Sequence, residues 1–391
     1  MIDETLYQSG TKPSTIFQLF EYGLKQAAVV GRENVYDYSL GNPSVPAPQQ
    51  VTDAFQRLLG QEDPVSLHGY TPAAGALDVR QSIAADLSAR SGMDIRPQNL
   101  FLTCGAAPAL LYVLRALAVA QAEVIAITPY FPEYRVYAEA CGMRFVPTQA
   151  DLDQFQINLT SLEDCITPHT QAVIVNSPNN PSGAVYSRET LQKLAEVLAR
   201  KSREIGRPIY IIADEPYREL VYDGADVPFI PGIYPDTVVC YSYSKSLSLP
   251  GERLGYFCVP DGAADSPRLY TAACAAARMM GHVCAPALQQ RVISACTGIR
   301  PQLEVYDRNR RTLYDALTSY GYRCVYPSGA FYLFVEAPGG SARAFSGRAK
   351  EHNLLVVPGD DFGCPAFFRL STCVDSDMVE RSLPVFQRLA E

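Results

Sequence analysis

Between residues 100 and 260 the chain alternates short, continuous apolar runs with amphipathic stretches. Leu100–Thr103 is followed by the Ala- and Leu-rich segment Ala106–Val119, and Glu123–Thr128 by Glu133–Cys141. Ala172–Asn176 leads through a Pro/Gly turn into Arg188–Lys201, which has a helix pattern. Ile209–Ala213 and Val238–Tyr241 are continuous apolar runs rich in β-branched residues. A strand with one wet face alternates; a strand buried on both faces reads as an unbroken apolar run. Such strands alternating with helices predict an α/β fold: a three-layer, mostly parallel sheet.

The last third has a different rhythm. Pro301–Tyr320 predicts a long helix, and Ala330–Val335, Leu354–Val357 and Phe367–Ser371 predict short strands separated by Pro, Gly and Ser. This fits a smaller α+β domain. The first forty or so residues have no sheet pattern of their own. The expected division is a large domain over residues 46–285 and a small domain built from 1–45 plus 286–391, in keeping with a chain of 391 residues.

Composition narrows the function. A net charge of −8 argues against nucleic acid as a main partner, because phosphate backbones select basic faces. The eleven cysteines are odd in number, scattered and without a C-x-x-C pair, so free thiols in a reducing, cytoplasmic setting are expected. The four histidines are far apart and give no metal-ligand spacing. No basic region followed by an apolar run opens the chain, and no segment approaches membrane-spanning length, so neither a signal peptide nor a membrane partner is expected.

Four of the expected strands end directly on a polar, turn-rich segment: Cys104-Gly105-Ala106-Ala107, Ser177-Pro178-Asn179-Asn180, Asp214-Glu215-Pro216-Tyr217 and Ser242-Tyr243-Ser244-Lys245. Open α/β sheets bind ligands at the carboxyl ends of their strands, so these groups are expected to converge. Taken alone, a lysine after a strand is more often a solvated loop residue. Arg253, eight residues beyond Lys245, changes that reading: two cations beside Ser242 and Ser244 make an anion site fit for a phosphate. A lysine held against an apolar sheet can also lose its proton and attack a carbonyl. Asp214 alone would be read as a helix cap, and Asn180 as a turn former. Beside a cationic anion site, Asp214 could instead keep a pyridine nitrogen protonated, with Tyr217 donating from the same edge. Gly105, Ala106 and Ala107 are small enough for backbone N–H groups to approach a phosphate at a helix N-terminus.

Together these motifs resemble the class I and II aminotransferases of pyridoxal-phosphate fold type I, from about Tyr38 to the C-terminus. Ser242-Tyr243-Ser244-Lys245 with Arg253 and Gly255 is similar to the family's S-x-S-K…R-x-G signature, Asn180-Pro181-Ser182-Gly183 to its N-P-T-G loop, and Asp214-Glu215-Pro216-Tyr217 to its D-E-x-Y segment. The resemblance implies pyridoxal 5′-phosphate attached to Lys245, its phosphate on Ser242 and Arg253 with Ser244 also in the cofactor site, its pyridine nitrogen on Asp214, and its phenolic oxygen on Asn180 and Tyr217. Softer likenesses imply that Tyr70 reaches the phosphate in a neighbouring subunit, and hence a homodimer with shared sites. They also place Gly41 near the substrate carboxylate and make Arg369 the group that binds it, with Asn180 alongside. The chain has no tryptophan, and Phe131 stands where many relatives stack one on the cofactor ring and the substrate. No arginine for a second, distal carboxylate is identified.

The reaction implied is transfer of an amino group from aspartate, alanine or an aromatic amino acid to a 2-oxo acid such as 2-oxoglutarate. Lys245 would act as base and acid at Cα. A C–S β-lyase on the same fold is the alternative, because the fold fixes the cofactor and not the bond broken. A transcriptional regulator with an aminotransferase-like sensor needs an added basic DNA-binding domain, for which the stretch before Gly41 leaves no room. A nucleotide-binding protein that has lost catalysis is disfavoured by the intact set of Lys245, Asp214 and Arg253.

Overall fold

The computed structural model describes residues 2, 4–11 and 14–390. Its strands are, in chain order, β1 (Tyr36–Asp37), β2 (Leu100–Thr103), β3 (Glu123–Ala126), β4 (Arg144–Pro147), β5 (Thr170–Asn176), β6 (Tyr210–Asp214), β7 (Thr237–Ser242), β8 (Gly255–Cys258), β9 (Tyr332–Glu336), β10 (Leu354–Leu355), β11 (Val357–Pro358) and β12 (Phe367–Ser371).

Seven of them form the large sheet in the order β2-β8-β7-β6-β5-β3-β4, parallel except for β8, which runs antiparallel to both of its neighbours. The continuous apolar runs are explained by where alternate residues go. Val173 and Val175 of β5, Ile211 and Ala213 of β6, and Val239 and Tyr241 of β7 face one core. Ala172 and Ile174, Tyr210 and Ile212, and Val238 and Cys240 face the other. The helices Gln49–Gln61, Leu77–Ser91 and Arg188–Ile205 close the first face through Leu58, Ile83 and Leu194. The helices Ala106–Leu117 and Ser266–Met279 close the second through Val113 and Ala273. Each fully buried Val, Ile or Leu contributes about 1.5–3 kcal/mol to holding the layers together.

Three strands escape the sequence pattern, β1, β4 and β8. The edge strand β4 buries only Phe145 well and ends on Pro147, a residue that an edge tolerates because one side of its ladder is unpaired. The strand β8 begins on Gly255, the last residue of the Arg253–Gly255 motif. The run expected over Leu354–Val357 divides: β10 pairs with β1, whereas β11 joins β12 and β9 in a three-stranded antiparallel sheet. The N-terminal segment therefore does own a strand, and Tyr38 beside it enters the core shared by Leu333, Phe345, Phe368 and Phe386. The helix Ala287–Ala295 packs on Gln49–Gln61 and Leu77–Ser91, and its Val292 and Ile293 join the large sheet's core. All eleven cysteines are unpaired. Among the described residues no helix is long and apolar enough to cross a membrane.

Candidate active site

The carboxyl edge of the large sheet opens into a cavity of about 490 Å3. Of the residues singled out from the sequence, all but Gly105 and Tyr70 line it. Register explains the convergence. Asn176 of β5 stands opposite Asp214 of β6, and Asp214 opposite Cys240 of β7, so β5 and β6 finish level and β7 runs two residues further to Ser242. The antiparallel β8 begins where β7 ends, with Gly255 opposite Ser242, and so brings the preceding Arg253 to the same edge. A Cβ on Gly255 would lie 2.3 Å from the Tyr241 carbonyl oxygen, so only glycine fits that crossing.

At one end the Arg253 guanidinium donates to Ser244 Oγ at 3.3 Å, to Pro250 O at 2.8 Å and to Cys104 O at 3.1 Å. Ser242 and Ser244 hydroxyls meet at 2.8 Å. Gly105, at φ +96°, precedes the helix Ala106–Leu117, and a Cβ there would lie 2.5 Å from Arg253. Arg253 itself holds φ +55°, a left-handed conformation that costs a non-glycine residue energy and is typical of ligand sites. Fixed hydroxyls, a cation and a helix N-terminus make an anion cradle.

In the middle, Asp214 is buried. Its Oδ2 accepts a short hydrogen bond from the Tyr134 hydroxyl, and its Oδ1 has no partner. Burial pushes the Asp214 carboxyl up to about 7, against the Tyr134 hydrogen bond that favours ionisation. Glu215 beside it is likewise pushed up to about 7 by burial, partly offset by Arg218 at 3.1 Å. Lys245 Nζ donates to the Gly41 carbonyl at 2.7 Å. Burial lowers the Lys245 pKa to about 8, and the nearby charges of Arg369 and Arg253 push the same way. An amine in that range is partly unprotonated near neutral pH, as a nucleophile or proton acceptor must be.

At the other end the small antiparallel sheet contributes Arg369, which is 1% exposed. Its guanidinium donates to Asn180 Oδ1 at 3.0 Å and to the Ser39 carbonyl at 2.6 Å, while its Nε has no partner. The Tyr332 ring lies 4.6 Å beneath it and the Phe362 ring 5.2 Å away. The Tyr217 and Tyr332 hydroxyls are 3.0 Å apart, and burial holds the Tyr217 phenol far above its usual range. Phe131 lines the cavity and meets Tyr134 edge-on at 5.6 Å. Tyr70 is 88% exposed on the surface of this chain.

The sequence reading missed Tyr134, Tyr332 and Glu133, which also line the cavity. Tyr134 and Glu133 carry a faint signal, following Phe131 within one strand-end turn. Tyr332 carries none, because its partners Tyr217 and Arg369 are distant in sequence. Glu133 is half-buried; its carboxyl is pushed up by burial, and it has neither an ion pair nor a hydrogen bond among the described residues. A larger cavity of about 710 Å3 lies across Leu40, which lines both, and holds none of the strand-end groups.

The family model of aminotransferase class I and II matches residues 33–385. The aspartate aminotransferase of Geobacillus stearothermophilus is 30% identical over 387 residues, covering 94% of this chain and 94% of that protein. Aromatic-amino-acid aminotransferase 2 of Thermococcus litoralis is 27% identical over 392 residues, covering 96% and 95%. The crystal structure of an amino transferase from Eubacterium rectale superimposes with a TM-score of 0.97 at 52% identity, covering 100% of this chain and 98% of that one.

Proposed function

This chain belongs to the class I and II aminotransferases and is an aminotransferase rather than a lyase, and from that premise we propose how its own residues carry out the transfer. The family uses pyridoxal 5′-phosphate. The observation that carries the reading is a pair of buried, unpaired atoms of opposite character in one cavity: Asp214 Oδ1 and Arg369 Nε. A protonated pyridine nitrogen completes the first and a carboxylate the second. Leaving either atom unpaired costs about 1–3 kcal/mol, so both select for a ligand that supplies the missing partner.

In this reading Ser242, Ser244, Arg253 and the backbone at Gly105, Ala106 and Ala107 hold the cofactor phosphate. Asn180 and Tyr217 face its phenolic oxygen, Phe131 covers its ring, and Lys245 is the attachment point. When bound, the cofactor supplies an aldehyde carbon that takes up the amino group and a ring that accepts electron density. Asp214 keeps the ring nitrogen protonated; the new positive charge in turn holds the Asp214 carboxylate ionised. Arg369 grips the substrate carboxylate, with the side-chain-free Gly41 backbone beside it. Lys245 takes the proton from the substrate Cα and returns it on the other side of the exchange. Tyr70, exposed here, is assigned to the site of a second copy in a homodimer. The free thiols and acidic charge fit a cytoplasmic protein. The domain division proposed is residues 46–285 against 1–45 plus 286–391, with the helix Ala287–Ala295 crossing it to pack on the larger part.

The cavity also narrows the donor. Its three cations, Lys245, Arg253 and Arg369, are assigned above to the cofactor and the first carboxylate, and much of the remaining wall is apolar or aromatic, with Ile16, Phe17, Leu40, Leu110 and Tyr137 beside the unpaired Glu133. The part of the wall that this chain itself supplies offers no counter-ion to a second carboxylate, and its Glu133 repels one, so aromatic donors fit it better than aspartate. Lys245→Ala should abolish turnover and the absorbance of the lysine-bound cofactor; a variant that kept both at the parent level would overturn the assignment. A single-turnover spectral screen across amino acids identifies the donor.

A further inference from the structure

Tyr332 lies at the meeting point of three groups that the reaction needs, although it bears no catalytic signature in the sequence. Its hydroxyl is 3.0 Å from that of Tyr217. Its ring lies 4.6 Å beneath the Arg369 guanidinium. The same hydroxyl packs on Gly41 so closely that a Cβ there would lie 2.0 Å from it, and Gly41 is the residue whose carbonyl receives Lys245 at 2.7 Å. Tyr332 is 3% exposed, and Tyr217 is its hydroxyl's one hydrogen-bond partner among the described residues. A buried phenol needs such a partner. Two tyrosines facing each other leave one proton to spare: one hydroxyl accepts and keeps its own proton for a third group.

We propose that Tyr332 is a positioning residue that donates its hydroxyl proton to Tyr217, so that the Tyr217 proton points at the phenolic oxygen of the cofactor, while its ring holds the Arg369 guanidinium flat for the substrate carboxylate. The inference rests on the assignment of Tyr217 to that oxygen. Chains of hydrogen bonds polarise one another, so a Tyr217 that accepts is a stronger donor than one that does not. Hydrogen bonds donated to an oxygen favour its ionised form. Removing the Tyr332 hydroxyl therefore raises the pH at which the lysine-bound cofactor loses its proton.

The experiment is an absorbance titration of the cofactor-loaded protein in four forms: parent, Tyr217→Phe, Tyr332→Phe and the double variant. Tyr217→Phe gives the larger upward shift of the midpoint. Tyr332→Phe gives an upward shift of about half a unit to one unit, the size of one neutral hydrogen bond. The double variant matches Tyr217→Phe alone, because Tyr332 acts only through it. An unmoved midpoint in Tyr332→Phe, or shifts that add in the double variant, overturns the proposal. An unmoved midpoint in Tyr217→Phe instead removes the assignment on which it rests, so the two failures are distinct. A second pair of variants tests the ring. Tyr332→Phe keeps the KM for the amino donor, whereas Tyr332→Leu raises it several-fold; equal KM values in the two would refute the role toward Arg369.

Discussion

The two ends of the cavity are built in different ways. The sheet-edge end takes Asp214 and Ser242 from the last positions of β6 and β7, and Lys245 and Asn180 from the segments that follow β7 and β5, so the strand that ends also places the group. The small-sheet end takes Arg369 from the middle of β12 and Tyr332 from the first position of β9, and their neighbours in the cavity come from distant parts of the chain: Arg369 meets Asn180 across 189 positions and Ser39 across 330. The first end is set by local boundaries and sheet register, the second by how a separate core packs against the first. The sheet edge should therefore govern cofactor chemistry and Arg369 substrate affinity, with Tyr332 touching both through Tyr217 and Arg369.

Substitutions separate those two predictions. The largest effect belongs to the sheet edge. Asp214→Asn leaves an amide that cannot hold the pyridine proton, and kcat should fall on the order of 100- to 1000-fold with KM little changed. The same change should stabilise the cofactor-free chain, raising its Tm by about 1–3 °C at neutral pH, because it removes a buried carboxylate with one oxygen unpaired. Its pH dependence has a definite sign. The raised Asp214 pKa means that the native chain holds this proton more tightly than the unfolded chain does. The stability it brings is complete below the ordinary value of 3.8 and lost as pH rises through about 7. Thermal melts of the parent should show that decline, and those of Asp214→Asn should show it reduced to the share of Glu215, whose carboxyl is likewise raised to about 7. Lys245 acts in the opposite sense: with its pKa lowered to about 8 from 10.5, its cost to the native state is relieved as pH rises across that interval.

Next comes Arg369→Lys at the other end. Losing the planar fork should raise the KM of every amino donor about 10- to 100-fold, with the cofactor titration unmoved. A shift in that titration would mean that the two ends are not separable. The smallest effect is that of Glu133→Gln. Removing a half-exposed charge should improve kcat/KM for aspartate about two- to fivefold and leave that for phenylalanine unchanged. Equal gains on both would assign Glu133 to helix structure rather than to donor choice.

Legibility followed the same divide. β2 and β12 were readable to the residue, and the strand ends at Asn176, Asp214 and Ser242 to within one, because burial on both faces makes a run of apolar residues and a turn must interrupt it. The antiparallel course of β8 was not readable, since its residues Gly255 to Cys258 would look the same in either direction. Nor was the division of the run after Leu354 between two sheets, as all its residues are buried whichever partner they choose. Tyr134 follows Phe131 closely in sequence, but its part in the site is set by a hydroxyl that reaches Asp214, 80 positions away.

The sequence by itself determined the layered α/β sheet, the identity of the groups at its carboxyl edge and the cofactor chemistry they suit. These depend on short-range facts: hydrophobic period, turn residues and the functional groups carried at their boundary. Tertiary packing alone set which atoms remain without partners, that Tyr332 stands between Tyr217 and Arg369, and that an apolar wall bearing the Glu133 carboxylate lines the same cavity. Those depend on contacts between residues far apart in the chain, and the free energy of such contacts is specified by packing that no local pattern records.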